Sequence, residues 1–217
     1  MEFIDPKKIF GLGTGSTVNF LIHKIHETYI LKGQPINAVS TSSETTSLAT
    51  SLGINIVALD QVDELDVVID GADEVDTENN LIKGGGGALL MEKIVASCSK
   101  QFIIIVDPSK IVSKLGKFPL PVEVVQFGSE RIKEAIERFL ITLGYQMPKV
   151  TFRRSAKNKY VTDQHNYILD LHLNEILDPK TLSLGLLQIV GVVEVGLFIN
   201  MASKIIIGND DGSCKVI

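Results

Sequence analysis

Cysteine is scarce in this 217-residue chain, which has only Cys98 and Cys214, far apart in sequence. Two such thiols make neither a disulfide framework nor a metal-ligand pair, and they fit a reducing compartment. Dense lysine or arginine runs are also missing and the formal net charge is −5, so the electrostatic footprint of a nucleic-acid binder is absent. Any phosphate must be held locally. No apolar run approaches the roughly 20 residues of a membrane span. The opening residues, Met1-Glu2-Phe3-Ile4-Asp5-Pro6, lack the basic and apolar regions of a signal peptide. A cytoplasmic protein with no membrane or nucleic-acid partner is expected. His23, His26, His165 and His172 show no zinc spacing. No Gly-x-Ser-x-Gly elbow occurs, and Cys98 has no evident histidine partner. Hydrolase and metal readings fall away, and neither a metal nor a cofactor is expected. Internal repeats and low-complexity segments are absent too.

What is present is an ordinary globular balance, 45% hydrophobic and 22% charged, in a chain long enough for a main domain with a smaller companion. Residues 9–12 read as a short apolar strand running into a glycine turn. The helix that follows places Val18, Leu21, Ile22, Ile25 and Tyr29 on one stripe. Further strands are expected at 37–40, 54–58, 67–69 and 102–106, with helices at 43–52 and 87–97. This alternation predicts an α/β fold with a Rossmann-like, mostly parallel sheet. The segments 13–17, 40–44, 70–73 and 107–110 each follow a strand, so all four should converge on one rim, where open parallel sheets bind ligands. After Leu120-Pro121-Val122-Glu123 the rhythm becomes strand, helix, strand, strand, helix, strand: 122–127, a stripe from Ile132 to Leu143, 150–153, 167–172, 179–189 and 192–196. That is the order of a smaller ferredoxin-like α+β domain, with 155–159 a mobile hairpin tip. Residues 204–208 supply a strand returning to the first sheet. The expected division is 1–121 with 197–217, and 122–196.

Three constellations carry chemistry. In Gly13-Thr14-Gly15-Ser16-Thr17 a strand, a glycine turn and a helix start combine backbone N–H groups, a helix dipole and three hydroxyls, a good anion cradle. It lacks the lysine of a P-loop and the third glycine of a dinucleotide fingerprint, and a tight turn capped by Ser16 or Thr17 is the bland alternative. The hydroxyl-rich segment 40–46 is explained mostly by helix capping. In Asp70-Gly71-Ala72-Asp73, a charged group ends an apolar strand, where it must be exposed or paired; alone, the tetrapeptide reads more readily as a solvated turn. In Lys83-Gly84-Gly85-Gly86-Gly87, adjacent glycines cost ordering entropy and let a ligand approach the backbone. Glu92 lies in the next helix among Leu89, Leu90, Ile94 and Val95, where partial desolvation would suit a general base. Lys83 suits an oxyanion, and Lys110 suits a phosphate as a point charge. Taken singly, each of these charged residues reads as a surface residue.

Together, and in this order, Gly13 to Thr17, Asp70-Gly71-Ala72-Asp73-Glu74, Lys83-Gly84-Gly85-Gly86, Glu92-Lys93 and Ser109-Lys110 through Glu123 resemble the A-type ribose-5-phosphate isomerase family. The resemblance continues through Val161-Thr162-Asp163, Ile168-Leu169-Asp170 and Gly191-Val192-Val193 to Gly196-Leu197-Phe198. It implies interconversion of ribose 5-phosphate and ribulose 5-phosphate through an enediolate in the non-oxidative pentose phosphate pathway, without metal, by a homo-oligomer, with a dimer favoured. By the same resemblance Glu92 is the general base, Asp70 and Asp73 contact the sugar and assist ring opening, with Gly71 and Ala72 between them, and Lys83 with Gly84, Gly85 and Gly86 holds substrate oxygens. Thr14, Gly15, Ser16, Thr17 and Lys110 meet the phosphate.

Two departures stand out. The family pattern carries a helix before the first strand with a basic residue near the phosphate, whereas this chain starts almost at the strand, and Lys7 and Lys8 are no obvious replacement. The segment 153–160 differs in length from the usual loop, so its arginines are left out of the expected site. A sugar-phosphate sensor on the same fold is the competing reading. Transfer of a coenzyme A group with Glu92 as nucleophile is a third, for which the chain is short.

Overall fold

The computed structural model describes residues 1–217. In chain order the elements are β1 (Phe10–Leu12), α1 (Ser16–Thr28), β2 (Asn37–Ser40), α2 (Ser43–Ser51), β3 (Asn55–Ile56), β4 (Val68–Asp70), β5 (Glu74–Val75), β6 (Leu81–Ile82), α3 (Leu89–Ser97), β7 (Phe102–Val106) and β8 (Leu120–Val124). There follow α4 (Ser129–Thr142), β9 (Lys149–Phe152), β10 (Arg154–Ser155), β11 (Asn158–Lys159), β12 (Tyr167–His172), α5 (Pro179–Leu187), β13 (Val192–Val195), β14 (Leu197–Phe198), β15 (Lys204–Gly208) and β16 (Cys214–Val216). Packing divides the chain into two compact units: Met1–Ala72 with Met91–Pro108 and Met201–Ile217, and Asp73–Leu90 with Ser109–Asn200.

The first unit holds a seven-stranded sheet in the order β16-β15-β7-β4-β1-β2-β3. Every pairing in it is parallel except the edge pair β15–β16. Its inner strands are short and nearly wholly buried, as a sheet covered on both faces requires. From β1 the chain moves through β2 and β3 to one side, and β4 and β7 lie on the other. The junction of β1 and β4 is therefore a topological switch point, the place where open α/β sheets take ligands beyond their carboxyl ends. The apolar stripe of α1 buries Val18, Ile22 and Ile25 in a core with Phe10, Leu12, Ala38, Ile69 and Ile103. The returning strand at 204–208 pairs in parallel with β7, Lys204 opposite Ile103.

The second unit holds a four-stranded antiparallel sheet in the order β13-β8-β12-β9. Numbered in their own succession, the strands lie 4-1-3-2, the ferredoxin-like arrangement. Ile132, Ile136 and Leu140 form the buried stripe of α4 and share a core with Leu169, Leu171, Leu182 and Leu186. β5, β6 and β14 form a further small antiparallel sheet. Ile82, Leu115 and Leu197 belong to the same core as the four-stranded sheet. The division expected from the sequence follows strand type, whereas the packing division follows this shared core and so takes in 73–90, 109–121 and 197–200. No helix is long and apolar enough to cross a membrane.

Candidate active site

In the first unit, Asp70 is the last residue of β4 and is fully buried. Its Oδ1 accepts the N–H of Gly71 at 2.7 Å and that of Thr14 at 3.1 Å. The approach is close enough to demand glycine at 13, because a Cβ there would lie 2.0 Å from the Asp70 carboxyl. The turn enters α1 through Gly15, at φ 116°, a region that disfavours side chains. Gly15 stands at the N-cap with no side-chain cap bond, so neither Ser16 nor Thr17 caps this helix. Both hydroxyl residues are exposed, and the helix end keeps N–H groups available for an anion.

Thr14 faces inward instead. Its hydroxyl donates to Ser42 Oγ at 2.8 Å, Ser42 donates to Thr45 Oγ1 at 3.0 Å, and Thr45 donates to the Gly13 carbonyl at 2.9 Å. Thr41 Oγ1 is a further neighbour of Thr14 Oγ1 at 2.8 Å. Ser42 does cap α2, accepting from the Thr45 N–H at 3.0 Å, as expected. Sequence reasoning missed that the same hydroxyls lock the glycine turn. The signal was available in the clustering of Ser and Thr after β2, a strand parallel and adjacent to β1. Glu92 sits in the first turn of α3, where the helix dipole favours a carboxylate, and is 3% exposed. This burial sets it apart from an ordinary helical surface glutamate.

In the second unit, Asp73 is held by its backbone, its N–H donating to the Ile82 carbonyl at 2.8 Å. Its Oδ2 accepts the Gly85 N–H at 2.8 Å, and a Cβ on Gly85 would meet Asp73 Oδ1 at 2.5 Å. Asp73 thus belongs to the glycine loop. Lys83 is 2% exposed, with Nζ 5.6 Å from the Phe198 ring centroid, within reach of a cation–π contact. Gly84, at φ +102°, could carry no Cβ without pressing on Leu89 at 2.9 Å. Lys110 ends a short 3-10 turn, Pro108–Lys110, and is half-buried. Arg153, left out of the expected site, bonds the Gly84 and Gly85 carbonyls at 2.6 and 2.8 Å. The chain at 154–159 forms the expected hairpin, β10 with β11.

Two further buried carboxylates, Glu74 and Glu123, belong to this unit. Glu123 on β8 is fully buried, with Oε1 accepting from Thr162 Oγ1 at 2.9 Å and Asn166 Nδ2 at 3.0 Å. Burial pushes its carboxyl up from the ordinary 4.5; the bonds from Asn166 and Thr162 act against this, and the nearby charges of Glu194 and Asp163 add to it.

Buried carboxylates, a buried lysine and two glycine turns with hydroxyls and N–H groups are the equipment of an α/β enzyme doing acid–base chemistry on a small anionic substrate. A sequence model of the family ribose 5-phosphate isomerase A (phosphoriboisomerase A) matches residues 37–212. Ribose-5-phosphate isomerase A of Cereibacter sphaeroides is 48% identical over 216 residues, 100% of this chain and 86% of that protein. The enzyme of the same name from Streptococcus pneumoniae is 49% identical over 211 residues, 97% of this chain and 90% of its own length. Among solved structures, the ribose 5-phosphate isomerase of Plasmodium falciparum matches with TM-score 0.93 at 34% identity, covering 100% of this chain and 92% of that one. A D-ribose-5-phosphate isomerase in complex with phospho-erythronic acid matches with TM-score 0.90 at 38% identity, covering 100% and 93%. The chain belongs to the ribose 5-phosphate isomerase A family.

Proposed function

We propose that the chain interconverts D-ribose 5-phosphate and D-ribulose 5-phosphate in the non-oxidative pentose phosphate pathway, with Glu92 as the base. The observation that carries the assignment of the base is the burial of Glu92, 3% exposed, in the first turn of the helix that follows the glycine run. A carboxylate withdrawn from bulk water is a better proton acceptor than an exposed one. Glu92 takes the C2 proton of the open-chain aldose, leaving an enediolate with its charge on O1, and returns a proton to C1 while the O2 hydroxyl proton passes to O1, giving the ketose. Lys83 and the N–H groups of Gly84 and Gly86 hold the oxygens on which negative charge develops, while the Gly85 N–H holds Asp73 in place. Asp70 and Asp73, with Gly71 and Ala72, share the contacts to the sugar hydroxyls and the ring-opening proton transfers.

Gly15, Ser16, Thr17 and Lys110 hold the phosphate, and Thr14 keeps the turn in shape through its inward bonds. Phosphate binding at a distance from the reacting carbons supplies orientation. A relative that holds phospho-erythronic acid supports this division, since that molecule joins a phosphate to a carboxylate that can stand for the anionic oxygens of an enediolate. We place the protein in the cytoplasm as a homodimer. The free exposed thiols of Cys98 and Cys214 fit a reducing compartment, and Leu177, Leu184 and Val190 leave apolar surface at 76, 56 and 93% exposure for a second copy.

Incubation with ribose 5-phosphate in deuterated water, followed by proton NMR, tests the reaction. Ketose should form with deuterium entering from solvent. Binding without any ketose or exchange would turn the reading toward a sensor.

A further inference from the structure

Arg153 lies just beyond β9, its backbone fixed on both sides: its N–H donates to the Ile168 carbonyl at 2.8 Å, and its carbonyl accepts from the Tyr160 N–H at 2.9 Å. Its guanidinium uses both edges. One edge makes the two-point bond to Asp170 on β12, Nε to Oδ2 at 3.1 Å and Nη2 to Oδ1 at 2.5 Å. On the other, Nη1 donates to the carbonyls of Gly84 at 2.6 Å and Gly85 at 2.8 Å. The two side chains are only 14% and 17% exposed, so the pair is shielded and its geometry is stiff. Tyr160 extends the clamp, its hydroxyl donating to the Gly86 carbonyl at 3.2 Å, while a Cβ on Gly87 would strike its ring at 2.5 Å.

Three successive carbonyls of a glycine run are thus tied down by two side chains. In a planar trans peptide the N–H points opposite to the C=O, so fixing each carbonyl fixes the direction of the next residue's N–H. The Gly84 carbonyl orients the Gly85 N–H, which meets Asp73 at 2.8 Å. The Gly86 carbonyl orients the Gly87 N–H, which closes the turn onto the Gly84 carbonyl at 2.9 Å. Between them the Gly85 carbonyl, held by Arg153, aims the Gly86 N–H away from the guanidinium, on an exposed part of the loop. Glycines have no side chains with which to hold such a shape, so the order has to come from outside the loop.

We propose that Arg153, braced by Asp170 and assisted by Tyr160, is the positioning residue that preorganises the glycine loop, and so aims the Gly86 N–H at the enediolate oxygens and the Asp73 carboxylate at the sugar hydroxyls. Arg153 acts through the loop and not on the substrate. The inference rests on the isomerase reading for its kinetic consequence, but not for its effect on the loop.

The test compares Arg153→Met, Arg153→Lys and Asp170→Asn with the unaltered chain by two independent measurements. In amide hydrogen exchange, the Gly85 and Gly87 N–H groups should exchange faster in Arg153→Met by roughly tenfold or more, while amides of β4 and β7 keep their protection. In the ribose 5-phosphate assay, kcat should fall about 100-fold, the scale of an ångström-sized misplacement, with KM changing far less, because the phosphate contacts are untouched. Arg153→Lys should recover part of the loss by restoring one charged donor, and Asp170→Asn should show a smaller fall of the same kind. An unchanged rate of loop exchange in Arg153→Met overturns the proposal whatever the activity. Should that variant not fold, the same comparison in Asp170→Asn decides it. Loop exchange that speeds up while kcat stays normal confines Arg153 to a structural role and also overturns it. An unaltered chain that binds the sugar phosphate without turnover counts against the isomerase reading, and the exchange measurement still decides whether Arg153 orders the loop.

Discussion

The carboxyl group of Asp70 occupies the space that a side chain on Gly13 would need, 2.0 Å from the position of its Cβ. A strand-end carboxylate and a glycine turn, 57 positions apart in numbering, are thereby one unit: Asp70 accepts the N–H of Thr14, and the turn has no room to hold anything larger than glycine there. Gly13→Ala must displace one or the other. The expected outcome is a destabilisation of about 1–3 kcal/mol, the usual cost of overpacking, measured by denaturant titration. A kcat/KM lowered at least tenfold should accompany it. An alanine variant of full stability and activity would mean that the turn relaxes without moving Asp70.

Glu92→Gln keeps the shape of the buried side chain and removes its basicity. Turnover should fall by a factor of about 10²–10⁴, the contribution general acid–base catalysis makes, and solvent deuterium should no longer enter the substrate at C2. Affinity for inorganic phosphate should be retained, since the proposed phosphate contacts lie elsewhere. Near-normal deuterium exchange would remove Glu92 from the role of base.

Much of the fold was legible in the sequence because its strands are apolar runs bounded by turn residues. β2, β7, β12 and β15 run over the residues expected of them, whereas Asp70, Lys83 and Glu92, each of which singly reads as a surface residue, all prove buried. The two-residue strands β5, β6 and β14 are too short to show any period. The strand expected at 54–58 shrinks to Asn55–Ile56, the two residues in register with β2. Arg153 was set aside with its segment, and its role was hidden for a different reason. Its partners in the glycine loop are main-chain carbonyls, which have no sequence signature, and only folding brings them to it.

The hydroxyl chain from Thr14 through Ser42 and Thr45 to the Gly13 carbonyl makes a separate prediction. Thr45→Val preserves shape but deprives Ser42 of its acceptor and the Gly13 carbonyl of a donor in a buried setting. The loss should be about 1–3 kcal/mol of stability, measured by denaturation. Because Thr45 lends only its backbone N–H to the capping bond, the start of α2 should survive. KM should rise more than kcat falls, as the affected turn is assigned to the phosphate. An unchanged KM would separate this network from substrate binding.

Glu123 makes stability depend on pH in a direction opposite to that of most carboxylates. Burial holds its folded-state proton affinity above the ordinary 4.5, so the folded chain keeps a proton that the unfolded chain has already released. The stability this contributes is fully present below pH 4.5 and is lost as pH rises through the folded-state value. Glu123→Gln removes that dependence while its amide oxygen still accepts from Thr162 and Asn166. Denaturation midpoints measured across a pH series should therefore shift in favour of the glutamine variant as pH rises from about 4.5. A difference between the two proteins that stays constant across the series, or that moves the other way, would show that Glu123 is not held protonated by its burial.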